Sequence, residues 1–261
     1  MNNQTINDLN NRKLDPCLFS IIIFPSNIYF KQSDDIITHK EIYIIFSCNI
    51  SGVRKFIDIV FKDDFSKTSS WYDYIISLKS RGINTILFAV IPNNDLLSKA
   101  LKLSFNEIEI FISCFETINK LSKYYTISYT SHILESVRKI FLSNSNSDYE
   151  VAMNDFKEDF LIFPFISDLL EEDLKRAKKY NNIDYEIRNF IFSFYFYRDM
   201  SKRLHVISRS KPYFLSLDEF TELLLIDIQR IEARMFCPKN KLKDIINILY
   251  NSKKELIKPY L

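Results

Sequence analysis

The sequence predicts an α/β protein built on one mixed sheet with helices around it. Three observations carry this. Apolar strand-like runs come first, at 17–31, 40–52 and 53–61, the last two reading as a hairpin. Two further runs, "INTILFAVI" and "EIEIFIS", are separated from them and from each other by helical segments. From about Tyr129 onward the periodicity is mostly helical. Strands met first as hairpins and then joined through helices fit a single sheet under helical cover.

The elements follow in order. "CLFSIIIFPSNIYFK" (17–31) is strand-like, but Pro25 argues against one uninterrupted strand, because proline cannot donate to a ladder. "KEIYIIFSCNISG" ends in a Ser-Gly turn and "VRKFIDIVF" follows it. In "FSKTSSWYDYIISLKSRG", Ser69 or Ser70 is placed to cap a helix, Trp71, Ile75 and Leu78 share one face, and Gly82 closes it. "INTILFAVI" is apolar throughout, as a strand buried on both faces would be. "NNDLLSKALKL" is a short helix with Asn94 or Asp95 near its cap, and "CFETINKLSKYY" is another. "DYEVAMNDFKEDFL" and "DLLEEDLKRAKKY" are amphipathic pieces. A long helix is expected over 184–209, and another over 216–235, where Ser216 and Glu219 form a capping box. A last helix is expected near 240–256.

Composition excludes several function classes. The 261 residues suffice for one large domain or a core with a subdomain. No apolar run approaches the roughly 18 residues of a membrane span. The polar, Asn-rich start lacks a signal-peptide core, so a cytoplasmic protein with a loose tail over 1–13 is expected. The only glycines are Gly52 and Gly82, too few for a phosphate loop or a dinucleotide fingerprint, so no nucleotide cofactor is expected. Cys17, Cys48, Cys114 and Cys237 are far apart and read as reduced, mostly buried thiols. A net charge of only +2 means that any nucleic-acid surface must come from local clustering.

One segment is distinctive: Trp71, Leu78-Lys79, Arg81-Gly82 and "ILFA" at 86–89. It resembles the helix-turn-strand segment of the Mutator-type transposases of insertion sequences. "EIYIIFSCNISG" resembles the preceding strand and turn, "INKLSKYY" (118–125) the helix after the fifth strand, and "YEIRNFIF" (185–192) the start of the last catalytic helix. The likeness is collinear over about 14–235, and the family's larger N-terminal DNA-binding region is not expected in this chain. The resemblance implies a ribonuclease-H-like core in two parts, 14–128 and 185–261, the second with C-terminal helices, interrupted by a helical insertion over 129–184. It also implies cutting and joining of DNA ends by a D-D-E triad. Two Mg²⁺ ions about 4 Å apart would activate the nucleophile and stabilise the leaving oxygen. Hard Mg²⁺ takes oxygen ligands, hence carboxylates.

Transferred position by position, that triad is missing. Its first Asp falls at Phe24, its second at Pro92 and its Glu at Arg198. The family's Cys and His after the fifth strand fall near Ser113 and Glu116. Asp95 and Asp199 are the neighbouring acids. One residue along a helix turns a side chain by roughly 100°, so Asp199 is off the required face, and Asp95 suits a helix start. Asp34 and Asp35 lie in a polar stretch and read as solvated. The expectation is a transposase-like protein without catalytic residues or metal ligands. DNA and a second copy of the chain remain as partners, and no membrane.

The remaining candidates are weighed against simpler readings. Over 184–209, Ile187, Ile191 and Phe194 share a face that continues as Arg198, Lys202, His205 and Arg209, with Arg203 and Lys211 nearby. This stripe reads as a DNA-phosphate contact or, more simply, as a solvated helix end. "FIFSFYFY" (190–197) reads as buried core rather than a base-stacking platform. His39, His132 and His205 have no sequence-adjacent partners, and no nucleophile motif supports a Ser-His-Asp triad. "EEDLKRAKK" (171–179) reads as a solvated face with i,i+4 pairs.

Overall fold

The structure, a computed structural model, describes residues 12–33, 36–232 and 239–260. Five strands form one sheet: β1 (Cys17–Ser33), β2 (Ile36–Asn49), β3 (Arg54–Phe61), β4 (Thr85–Ile91) and β5 (Glu109–Ile112), in the order β3-β2-β1-β4-β5. The β2–β1 and β2–β3 pairs are antiparallel, and β1 runs parallel to β4. This is the mixed α/β sheet that the sequence predicts, and its order and senses agree with a ribonuclease-H-like fold. β4 has no exposed residue, as its uninterrupted apolar run requires.

Pro25 does not break β1. Its ladder with β2 runs unshifted from Ser20↔Cys48 through Pro25↔Tyr43 to Lys31↔Ile37. The reason lies on the other side of the strand. The β1–β4 ladder ends at Ile22↔Val90. The next pairing on that side is with Phe214, whose N–H donates to the Tyr29 carbonyl at 2.8 Å. Between them β1 has an open side, and a residue without an N–H is tolerated there.

Helix α1 (Thr68–Ser80) buries Trp71, Ile75 and Leu78, with the Trp71 ring 4.2 Å from Phe65 and 5.6 Å from Tyr43 of β2. It starts earlier than either candidate cap: Lys67 stands at the cap position and no side chain caps it. Gly82 closes it with φ +115°, and a Cβ there would stand 3.0 Å from the Leu14 carbonyl oxygen. Gly82→Ala is therefore expected to cost about 1–3 kcal/mol, read as a lower urea midpoint with an unchanged slope. An unshifted midpoint would mean that the turn relaxes freely. In α2 (Asp95–Ser104) the cap is Asn94, whose side chain accepts from the Leu97 N–H at 3.0 Å.

The described residues form two compact units, one up to Phe111 and again from Arg203, the other over Ile112–Lys202. The second unit is helical: α3 (Phe115–Leu121), α4 (Ile127–Phe141), α5 (Asn146–Asp159), α6 (Pro164–Ala177), α7 (Tyr185–Phe192) and most of α8 (Phe194–Ser210). The single helix expected over 184–209 is two helices. The break is Ser193, in the left-handed region at φ 49° and ψ 42°. All residues from Phe190 to Phe194 are buried. Five consecutive positions cover every face of one straight helix, so a turn lets both helices aim apolar side chains inward. The Ser193 hydroxyl donates to the Phe190 carbonyl at 2.6 Å and helps to offset the backbone cost.

Two buried polar residues hold this unit together, and neither stands out in sequence. Asp173 lies in the run expected to be a solvated face. Glu171 and Lys175 do pair there at 2.8 Å, but Asp173 is buried, accepting from the Thr117 hydroxyl of α3 and from Arg176. Arg188 is also buried, its Nε donating to the Ile183 carbonyl and a terminal nitrogen to the Phe141 carbonyl, both at 2.9 Å.

In helix α9 (Leu217–Glu232) the Glu219 N–H donates to the Ser216 hydroxyl at 3.1 Å. The returning bond lands one residue early, with the Leu215 N–H donating to Glu219 at 2.7 Å. The last expected helix is divided at Lys253 into α10 (Lys239–Ser252) and α11 (Lys254–Ile257). Residues 1–11 of the expected tail, Asp34, Asp35 and Cys237 lie outside the described residues. Cys17, Cys48 and Cys114 are buried free thiols. Burial pushes the Cys17 thiol up to about 11, so it is not a nucleophile at neutral pH. Among the described residues, no helix is long and apolar enough to cross a membrane.

Candidate functional site

The parallel β1–β4 ladder sets the geometry of the candidate site. Its partners keep one register from Cys17↔Thr85 to Ile22↔Val90. Two residues further along each chain come Phe24 and Pro92. The register thus brings both positions to the same end of the same strand pair, where neighbouring strands lie about 4.8 Å apart. Phe24 is 2% exposed, pairs with Ile44 of β2 and meets the Phe46 ring edge-on at 5.7 Å. Pro92 is buried directly after β4. Neither side chain carries an oxygen. The next polar residue along β1, Ser26, is buried on the same face as Phe24 but carries a neutral hydroxyl, not a carboxylate. Asn27, one residue on, has a buried amide oxygen that accepts no hydrogen bond. It is three residues from Phe24, so it points to the opposite face of the sheet. Asp95 is exposed in the first turn of α2.

Arg198 belongs to the second unit. It sits on α8, over the Tyr195 ring at 5.0 Å and 3.5 Å from the Asp199 carboxylate, which is itself solvent-facing. Tyr195 corrects the all-core reading of 190–197: it is 50% exposed, and Arg138 stacks on it at 4.8 Å. The break at Ser193 detaches Ile187 and Ile191 from the basic stripe, which on α8 alone runs Phe194, Arg198, Lys202, His205, Arg209. Lys202, His205 and Arg209 are exposed and Arg203 is half-buried. Lys211 is engaged elsewhere: it pairs with Glu219 and lies 5.7 Å from the Phe214 ring.

A family model described as the Mutator family of transposases matches residues 2–223, nearly the whole chain. The chain belongs to that family. No curated protein matches it.

The other candidates in this Mutator-family chain resolve into structural contacts. Ser113 is buried with its hydroxyl unpaired, and Glu116 is 3.6 Å from Lys120 one turn on in α3. His39 lies against the Tyr29 ring at 5.3 Å. His132 is 4.0 Å from Asp159, and Ser136 donates to the same carboxylate at 3.4 Å. The carboxylate is thus the shared partner, whereas a catalytic triad needs the imidazole between serine and acid. Among the described residues, no three His, Cys, Asp or Glu side chains are grouped to hold a metal ion. Phe24 and Pro92 themselves supply no oxygen to the Mg²⁺ pair that the resemblance implies, and such ions need several oxygens at short range.

Proposed function

We propose that this Mutator-family transposase relative is catalytically silent and retains DNA binding. The observation that supports the silent reading most directly is the register. The positions to which the family's first two acids align stand side by side at the end of the β1–β4 ladder, and they are occupied by a buried phenyl ring and a proline. Arg198, aligned with the third acid, offers a cation where the family has an oxygen ligand. The helices over 129–184 are then an insertion in a core that no longer cuts.

DNA binding is supported by α8, whose sequence carries Arg198, Lys202, Arg203 and Arg209 against the single acid Asp199. Exposed cations at helical spacing contact phosphates without reading bases. In an electrophoretic shift, the chain is expected to retard duplex DNA at low salt with a steep salt dependence. Lys202→Ala with Arg209→Ala should lower the log–log salt slope by about 0.9 for each phosphate that is no longer neutralised. No shift at low salt would leave a protein-interaction module as the surviving reading. Incubation with Mg²⁺ or Mn²⁺ is expected to yield no strand cleavage. Cleavage that disappears in Asp95→Ala or Asp199→Ala would instead establish a nuclease with relocated acids.

A further inference from the structure

We propose that an apolar face on the helical unit is covered by a second copy of this chain. The face is built on "LIFPF" (161–165), the link between α5 and α6 and the first turn of α6. A run of five apolar residues normally folds inward, yet Leu161 is 78% exposed, Ile162 79%, Phe163 36% and Phe165 50%. Tyr124, 71% exposed on the α3–α4 link, extends the same surface. Ring contacts make it continuous: Tyr124 meets Phe165 at 6.1 Å, and Tyr129 meets Phe163 at 5.5 Å. The rings of Tyr129 and Phe160 support the face from beneath.

Size and charge select the occupant. With side chains of this size, Tyr124, Leu161, Ile162, Phe163 and Phe165 leave roughly 650 Å² open, more than the few hundred Å² usual for a monomer's patches. That area is about one partner's share of a standard-size interface. The five central residues carry no charge, while the sequence around them supplies Lys123 and Lys157 together with Glu158, Asp159 and Asp168. A two-fold interface must be complementary to itself, and an uncharged centre with both signs on its rim meets that requirement. The same acids disfavour DNA and anionic lipid, which need an excess of cations.

The proposal is independent of the DNA reading, because its residues are not those of α8. Light scattering and sedimentation of the full chain, without nucleic acid, test it. The wild type is expected to be a concentration-dependent dimer, and Leu161→Asp with Ile162→Asp to weaken association by at least about a hundredfold, with unchanged circular dichroism and a melting temperature equal to that of the wild type diluted to its monomer. If that pair unfolds, Leu161→Ser with Ile162→Ser should give a folded monomer. A wild type that stays monomeric at every concentration would overturn the proposal, as would a dimer that both pairs leave intact. Pelleting of a monomeric wild type with phosphatidylserine vesicles would assign the face to lipid and also overturn it.

Discussion

Arg188→Leu is expected to destabilise the chain by roughly 3 kcal/mol, through a side chain far from any chemistry. Arg188 is 1% exposed and yet charged. Its burial lowers the guanidinium pKa, and Asp184 acts in the opposite direction. The arginine is retained because its donors answer two carbonyls that would otherwise be orphaned. Phe141 is the last residue of α4, whose final carbonyls have no partner within the helix. A cation there also meets the negative end of that helix. Ile183 supplies the second carbonyl, just before α7. Leucine would leave both unpaired at about 1–3 kcal/mol each, partly offset because no charge would then be desolvated. Lysine keeps the charge but is not expected to satisfy both carbonyls, so Arg188→Lys should cost about half as much. Urea titration reads both variants as shifts in midpoint. If the leucine variant matched the wild type, the desolvation of the charge would equal all that its hydrogen bonds return.

The residues that tie the helical unit together are the hardest to read from the sequence, for a physical reason. Apolar periodicity reports which face of a helix is buried, and it places Trp71, Ile75 and Leu78 correctly. It says nothing about a charged residue whose partner is a backbone carbonyl some 47 positions away, as for Arg188 and Phe141. Asp173 escapes it likewise, because its neighbours Glu171, Glu172 and Lys175 do form the solvated pairs that the pattern suggests. The Ser193 break has a local signal: aromatics on every face of a supposedly single helix. Pro25 misleads in the opposite direction. A proline forbids only the hydrogen bond it would have made, and whether that bond is needed depends on where the neighbouring strand ends. At the candidate site the register of β1 on β4, which no sequence pattern encodes, brings Phe24 and Pro92 to the same end of the strand pair.

Phe24→Asp separates a filled core from an emptied metal pocket. If the position is now core, the substitution removes a buried ring packed on Phe46 and places a carboxyl among apolar groups. Loss of the ring alone is expected to cost about 3–5 kcal/mol, and desolvation of the carboxyl adds to this. The new carboxyl would have its pKa raised in the folded state. Unfolding then releases protons above the ordinary value of about 3.9, so the penalty should grow as the pH rises from there towards the raised folded value. Millimolar Mg²⁺ or Mn²⁺ should not restore the melting temperature, because Pro92 offers no second ligand. A surviving pocket behaves differently. There the aspartate would lie in a polar space, the stability loss would be small, and either ion would raise the melting point by binding the native state alone. That outcome would mean that the oxygen ligands come from elsewhere in the chain, and the silent reading would fall.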